Sequence, residues 1–170
     1  ELRIGYGKTG SATVGYYYYF LLVEFHQLQN NLLEAGQALA DLAKILEENP
    51  AIKRKVRQAS VHLNLGANAL WLHEFEKAQE QFKLSLAFVR PNTRNQAIIL
   101  ELLFYSQFYL GDMDEAEKSL EVLVENKSAD QSEFMKAVRN YLLACVSFAK
   151  GEFRKVNLRL ANSIGIGSDK

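Results

Sequence analysis

Glycines beside a lysine and a hydroxyl can cradle a phosphate, and Gly5-Tyr6-Gly7-Lys8-Thr9-Gly10 sets those types side by side. The phosphate loop, however, needs a glycine five residues before Gly7, where Leu2 stands, and a strand ahead of it. Nucleotide chemistry fails on that spacing, and residues 1–11 are expected to be a flexible N-terminal segment. Zinc chemistry fails next. His26, His62 and His73 include no pair four residues apart on one helix face, and no cysteine pair accompanies them. His26 and His62 are expected half-buried and His73 exposed at a turn. Cys145 is the one cysteine, with no histidine near it in sequence to make it a thiolate, so a buried, unreactive thiol is expected. No nucleophile, base and acid fall together. The expectation is no catalytic residue, no metal and no cofactor.

Charge narrows the partners. Twenty Lys and Arg balance twenty Asp and Glu, whereas nucleic-acid binding needs a basic surplus. The one dense basic run, Lys53-Arg54-Lys55 with Arg57, reads as a solvated face compensated by Glu47 and Glu48 just upstream; an anionic partner is the weaker reading. The most apolar run, Val14 to Val23, is broken by Gly15, holds four tyrosines and runs into Glu24, so no membrane span is expected. The residues show no basic start, apolar run and small-residue cleavage site, which leaves a signal removed earlier open, and a lone cysteine suits a reducing compartment, so the cytoplasm is the expectation.

The elements that must position any site are helical. Leu (25) and Ala (18) outnumber Val, Ile and Thr together (20), and straight or small side chains lose least freedom in a helix. Apolar residues recur at three- and four-residue steps, which predicts helices over about 12–29, 32–48, 51–72, 75–90, 93–110, 113–126, 130–150 and 152–162. Gly111 and Gly151 suit left-handed helix ends. Asp112 with Glu115, and Ser128 with Gln131, have capping-box spacing, and Pro50 suits a first helical turn.

A pattern recurs within this series: Leu32, Ala35, Leu39; Phe75, Ala78, Phe82; Met113, Ala116, Leu120; and, less faithfully, Phe153, Val156, Leu160. Its small residues are 43, 38 and 40 positions apart, the period of a two-helix repeat. With Leu63-x-Leu65-Gly66-x-x-Ala69 ahead of Phe75-Glu76-Lys77-Ala78-x-x-x-Phe82, and with Leu110-Gly111-Asp112-Met113-Asp114-Glu115-Ala116, the chain resembles the tetratricopeptide repeat family over about residues 16–161. The units are longer than that family's usual 34 residues, and its characteristic tryptophan is missing, Trp71 lying elsewhere. The resemblance implies an all-α solenoid of about four antiparallel hairpins over 12–162, a tail over 163–170, and no enzymatic activity. Long repeats of this kind also look like those of bacterial regulatory and signalling proteins, which implies a segment of a larger protein.

In such a solenoid the first helix of each hairpin has two useful faces. One carries Tyr19, Leu22, Val23; Leu65, Gly66, Ala69; Leu100, Leu103, Phe104; and Leu143, Ala144, and is expected to pack on the second helix. The other carries the candidate partner-binding residues Tyr17, Glu24, Asn64, Trp71, Glu101, Tyr105, Tyr109 and Tyr141. It holds two carboxylates and no Lys or Arg, so a protein or peptide segment that is apolar or cationic fits it, with cations able to stack on the rings. On the alternative reading some rings, notably Phe20 and Phe148, fill gaps between repeats and the chain is a structural or oligomerising spacer. An RNA-binding repeat fits less well. The last helix, with Val156, Leu158, Leu160 and Ala161, is expected to leave apolar surface for a homodimer.

Overall fold

The computed structural model describes residues 10–129 and 132–165, and all of their regular structure is helical. The helices are α1 (Ala12–Leu28), α2 (Leu32–Glu48), α3 (Lys55–Trp71), α4 (Phe75–Leu86), α5 (Arg94–Leu110), α6 (Met113–Glu125), α7 (Glu133–Ala149) and α8 (Phe153–Gly165), with a 3-10 turn at Pro50–Ile52. Pro50 does open a helical turn, but that turn stops at Ile52 and α3 begins only at Lys55. The phosphate-loop residues 5–9 and Gln131 lie outside the described residues.

Five of the seven breaks share a physical form, one residue in the left-handed region. Gly111 (φ 77°) and Gly151 (φ 72°) supply it without a Cβ penalty, while Asn30 (58°), His73 (61°) and Asn92 (57°) carry side chains there. Capping differs from expectation. Asp112 makes no side-chain cap, and Glu115 pairs with Lys118 one turn on. The hydroxyls that do cap are Thr93, accepting from the Gln96 N–H, and Ser132, accepting from the Met135 N–H, both at 3.3 Å. At the other end α8 continues to Gly165, past the expected boundary at 162, and carries Ile164 in its last turn.

The chain divides into two compact units that meet in sequence at Val89 and Arg90. In the first, α1 pairs with α2 and α3 with α4, and α2 also packs on α3. Its core gathers Tyr16, Val23, Leu39, Leu42, Leu46 and Val61, all nearly excluded from solvent. Gly66 of α3 sits against the fully buried Phe82 ring of α4, so close that a Cβ there would stand 2.6 Å from the ring edge. Ser85 donates to the Ala59 carbonyl at 2.8 Å, satisfying a buried hydroxyl in the same interface.

In the second unit α5 pairs with α6, α7 with α8, and α6 packs on α7. Leu100, Leu103 and Phe104 of α5 and Ala116, Leu120 and Leu123 of α6 are all buried in this pair. Two polar groups are sealed into that core with partners: Ser119 donates to Gln107 Oε1 at 2.7 Å, and Asn126 Nδ2 donates to Gln96 Oε1 at 2.9 Å and to the Thr93 carbonyl at 3.2 Å. The Asn126 Oδ1 in turn accepts the Ser128 and Ala129 N–H groups, so one side chain ties the loop after α6 to the start of α5.

The small residues of the repeating pattern behave alike. Ala35, Ala78 and Ala116 are wholly buried, one in the second helix of each of the first three hairpins, whereas Val156 of α8 is only half-buried. Replacing Gly66 with Ala should therefore cost about 1–3 kcal/mol, since the wholly buried Phe82 ring must shift to admit a Cβ. Urea denaturation checks this, and a midpoint equal to that of the parent would contradict the tight α3–α4 contact.

Candidate functional site

In the second unit four of the sequence-predicted residues come together. Glu101, Tyr105 and Tyr109 follow one another at four-residue steps along α5 and so share a face. Tyr141 and Cys145 do the same on α7 and lie close enough for each to bear on the other's ionisation. Tyr105 links the two helices, being close enough for its ionisation to respond to Glu101, Tyr141, Cys145 and Tyr109. The result is a patch of three phenols, two of them well exposed (Tyr109 62%, Tyr141 45%), beside one carboxylate.

The electrostatics of this patch have one sign. Burial raises the Glu101 carboxyl above its ordinary value, and no Lys or Arg ion pair relieves it among the described residues. Tyr105 is pushed far above the usual tyrosine range, first by burial and then by the nearby Glu101 carboxylate. Burial also raises the Cys145 thiol, which stays protonated at neutral pH and is therefore a poor nucleophile. The patch is a poised acceptor of positive charge, because the rings present negative faces and the carboxylate lacks its counter-ion.

The first unit departs from the sequence reading. Tyr17 on α1 is half-exposed, but its ring lies beneath a cation: the Arg57 guanidinium sits 5.7 Å from its centroid and 4.8 Å from that of Tyr16. The expectation of a groove face without Lys or Arg is thus overturned here, because the first turns of α3 lie against the start of α1 and carry Arg54 and Arg57 with them. Nor is the basic run compensated as expected. Glu48 pairs with Lys44 on its own helix, 3.8 Å away.

The remaining residues are more scattered. Glu24 is exposed on α1, and Trp71 is half-exposed at the end of α3. Asn64 turns its amide back to donate to the Ser60 carbonyl at 2.9 Å. No hydrogen bond or ion pair joins Glu24, Asn64 and Trp71 to one another. Phe20 is half-buried and stacks on Tyr16, but Phe148 is 61% exposed, edge-on to Phe153, and fills no gap. The histidines sit as their helical positions suggest: His62 bonds Gln81 at 2.9 Å and stacks on Phe88, His26 is half-buried, and His73 is exposed. Among the described residues no three His, Cys, Asp or Glu side chains gather as a metal ion would require, and no helix is long and apolar enough to cross a membrane.

Comparison with known proteins adds no relative: no protein-family model matches the chain, and no curated protein is significantly similar to it.

The Glu101 environment has a measurable consequence. An acid whose folded pKa is raised stabilises the fold below the ordinary value, here 4.5, and loses that contribution as pH rises through the folded value. At pH 7 the half-buried carboxylate is therefore a net cost. Glu101→Gln should melt higher than the parent at pH 7, with the difference closing as the pH falls below 4.5. A difference that is constant with pH in thermal melts would contradict burial of the charge.

Proposed function

We propose that this chain is a non-enzymatic interaction module, a tetratricopeptide-like solenoid, that binds a cationic segment of another protein on the face shared by α5 and α7. The observation that carries this reading is the half-buried Glu101 without a cation beside Tyr105, which in turn lies near Tyr109 and Tyr141. An arginine or lysine side chain laid on that patch can pair with the carboxylate and stack on the Tyr105 ring, and each interaction strengthens as water leaves. Four successive hairpins support the solenoid reading, because two-helix units of about 40 residues stack in that manner. A regulatory protein of bacterial type, acting in the cytoplasm, is the setting that the long repeats suggest.

A spacer that associates with its own copies is the second reading, favoured by the apolar residues that α8 leaves open: Phe153 (62%), Leu158 (64%) and Ile164 (80%). Leu160, expected to join them, is half-buried.

The two readings separate by experiment. Fluorescence anisotropy with a panel of short arginine- and lysine-containing peptides should find binders, and acidic or mixed-RNA probes should not bind. Tyr105→Ala should weaken the best peptide by about 2 kcal/mol, and Glu101→Gln should weaken it with helical content unchanged. Peptide affinities indifferent to both substitutions would rule this face out. For the spacer, sedimentation should show a concentration-dependent dimer that Leu158→Glu with Ile164→Glu turns to monomer. A monomer at high micromolar concentration ends that reading.

A further inference from the structure

The first unit holds a cleft of about 300 Å³ between the start of α1 and the start of α3, lined by Tyr16, Tyr17, Phe20, Arg54, Val56, Arg57 and Ser60. Its floor is Tyr16, almost fully buried, stacked on Phe20 and with Ser60 near its hydroxyl. The Arg57 guanidinium is held by two rings on one side and by the Ile52 carbonyl, to which Nη1 donates at 3.2 Å. That fixes its plane while leaving most of its five donors uncommitted.

Charge in this corner is one-sided. Lys53 and Arg54 lead into the 17-residue α3 and Lys55 and Arg57 lie in its first turn, where the dipole is already positive and no side chain caps the free N–H groups. No carboxylate lies within ion-pair distance of any of the four among the described residues. Beside these cations stand the exposed faces of Tyr17 (51%) and Val56 (64%), an apolar wall next to an oxyanion site. A bare inorganic ion would use the arginines and leave that wall idle.

We infer that this cleft binds a small aryl oxyanion, an aromatic carboxylate or phosphate, with its charged group on Arg54 and Arg57 and its ring against Tyr17, Phe20 and Val56. The volume is at the small end of ligand sites, about 300–1,000 Å³, and suits a single ring with one charged group. Guanidinium groups take either oxyanion in a two-bond fork. This site is independent of the α5–α7 patch, which would bind the opposite charge.

The test is a nuclear magnetic resonance titration of the intact chain with benzoate, phenyl phosphate, inorganic phosphate and benzyl alcohol. Saturable shifts confined to residues 16–20 and 52–60 are expected with benzoate and phenyl phosphate, and the tighter of the two identifies the oxyanion preferred. Phenyl phosphate should bind at least tenfold tighter than inorganic phosphate, and benzyl alcohol should give no saturable shift. Arg54→Gln, an exposed position that the fold does not need, should weaken both aryl anions about tenfold; Arg57→Lys, which keeps the charge but loses the fork, should also weaken them. Equal affinity for inorganic and phenyl phosphate, binding of benzyl alcohol as tight as benzoate, or an Arg54→Gln chain with unchanged affinities would each overturn the proposal. So would the absence of saturation by either aryl anion.

Discussion

Everything in the first unit hangs on how near α3 and α4 approach each other. At Gly66 the helix surface carries no side chain, and the Phe82 ring occupies the space that a methyl group would need. The ring is fully buried as a consequence, and so is Ala78, one turn before it. Close approach of two helices gives many weak dispersion contacts for little buried volume, which is why small residues recur where hairpins close. Ala35 and Ala116 do the same work for the hairpins of α1 with α2 and α5 with α6. Once these contacts set the rotation of each first helix, its opposite face is set as well. The α5 face bearing Glu101, Tyr105 and Tyr109 is outward because Leu100, Leu103 and Phe104 are inward.

Charge is distributed so that the neutral total conceals two local excesses. Most ion pairs are short-range and exposed, such as Lys77 with Glu74 and Lys155 with Glu152, three residues apart at helix starts. Pairs of that kind contribute little to stability, because water screens them and ordering the side chains costs entropy. The informative charges are the ones left out. Glu101 is half-buried without a cation, and Arg57 is pinned between two tyrosines and a carbonyl without an anion. Partly desolvated charges without counter-ions cost the fold free energy, and that cost can be recovered from a ligand of the opposite sign.

Helix order and most boundaries were legible in the residues, because turn chemistry is local; the start of α3 and the ends of α4 and α8 differ from the expected positions. Left-handed positions at Asn30, His73, Gly111 and Gly151, and the three- and four-residue apolar steps between them, need no knowledge of distant neighbours. The buried Ala35, Ala78 and Ala116, and the inward Val23, Ala69, Leu103 and Ala144, follow from the same period. So does the sharing of one face by Glu101, Tyr105 and Tyr109, since four-residue spacing on a helix is a geometric fact.

What the tertiary structure alone decided is which charges and rings from different helices meet. Arg57 reads as a solvated cation when only its own segment is considered, since Glu47 and Glu48 precede it; the packing of α1 beside α3 puts its guanidinium over Tyr16 and Tyr17 instead. Tyr141 and Cys145 reach Tyr105 only because α7 lies near α5 within the second unit. Asn126 ties its loop to α5 across thirty residues of chain, a link that no local pattern encodes. Periodicity determines which side of a helix is apolar, because that depends on spacing along one chain segment. It cannot determine what the other side faces, because that depends on the rotation and offset of a second helix, set by side-chain packing between them.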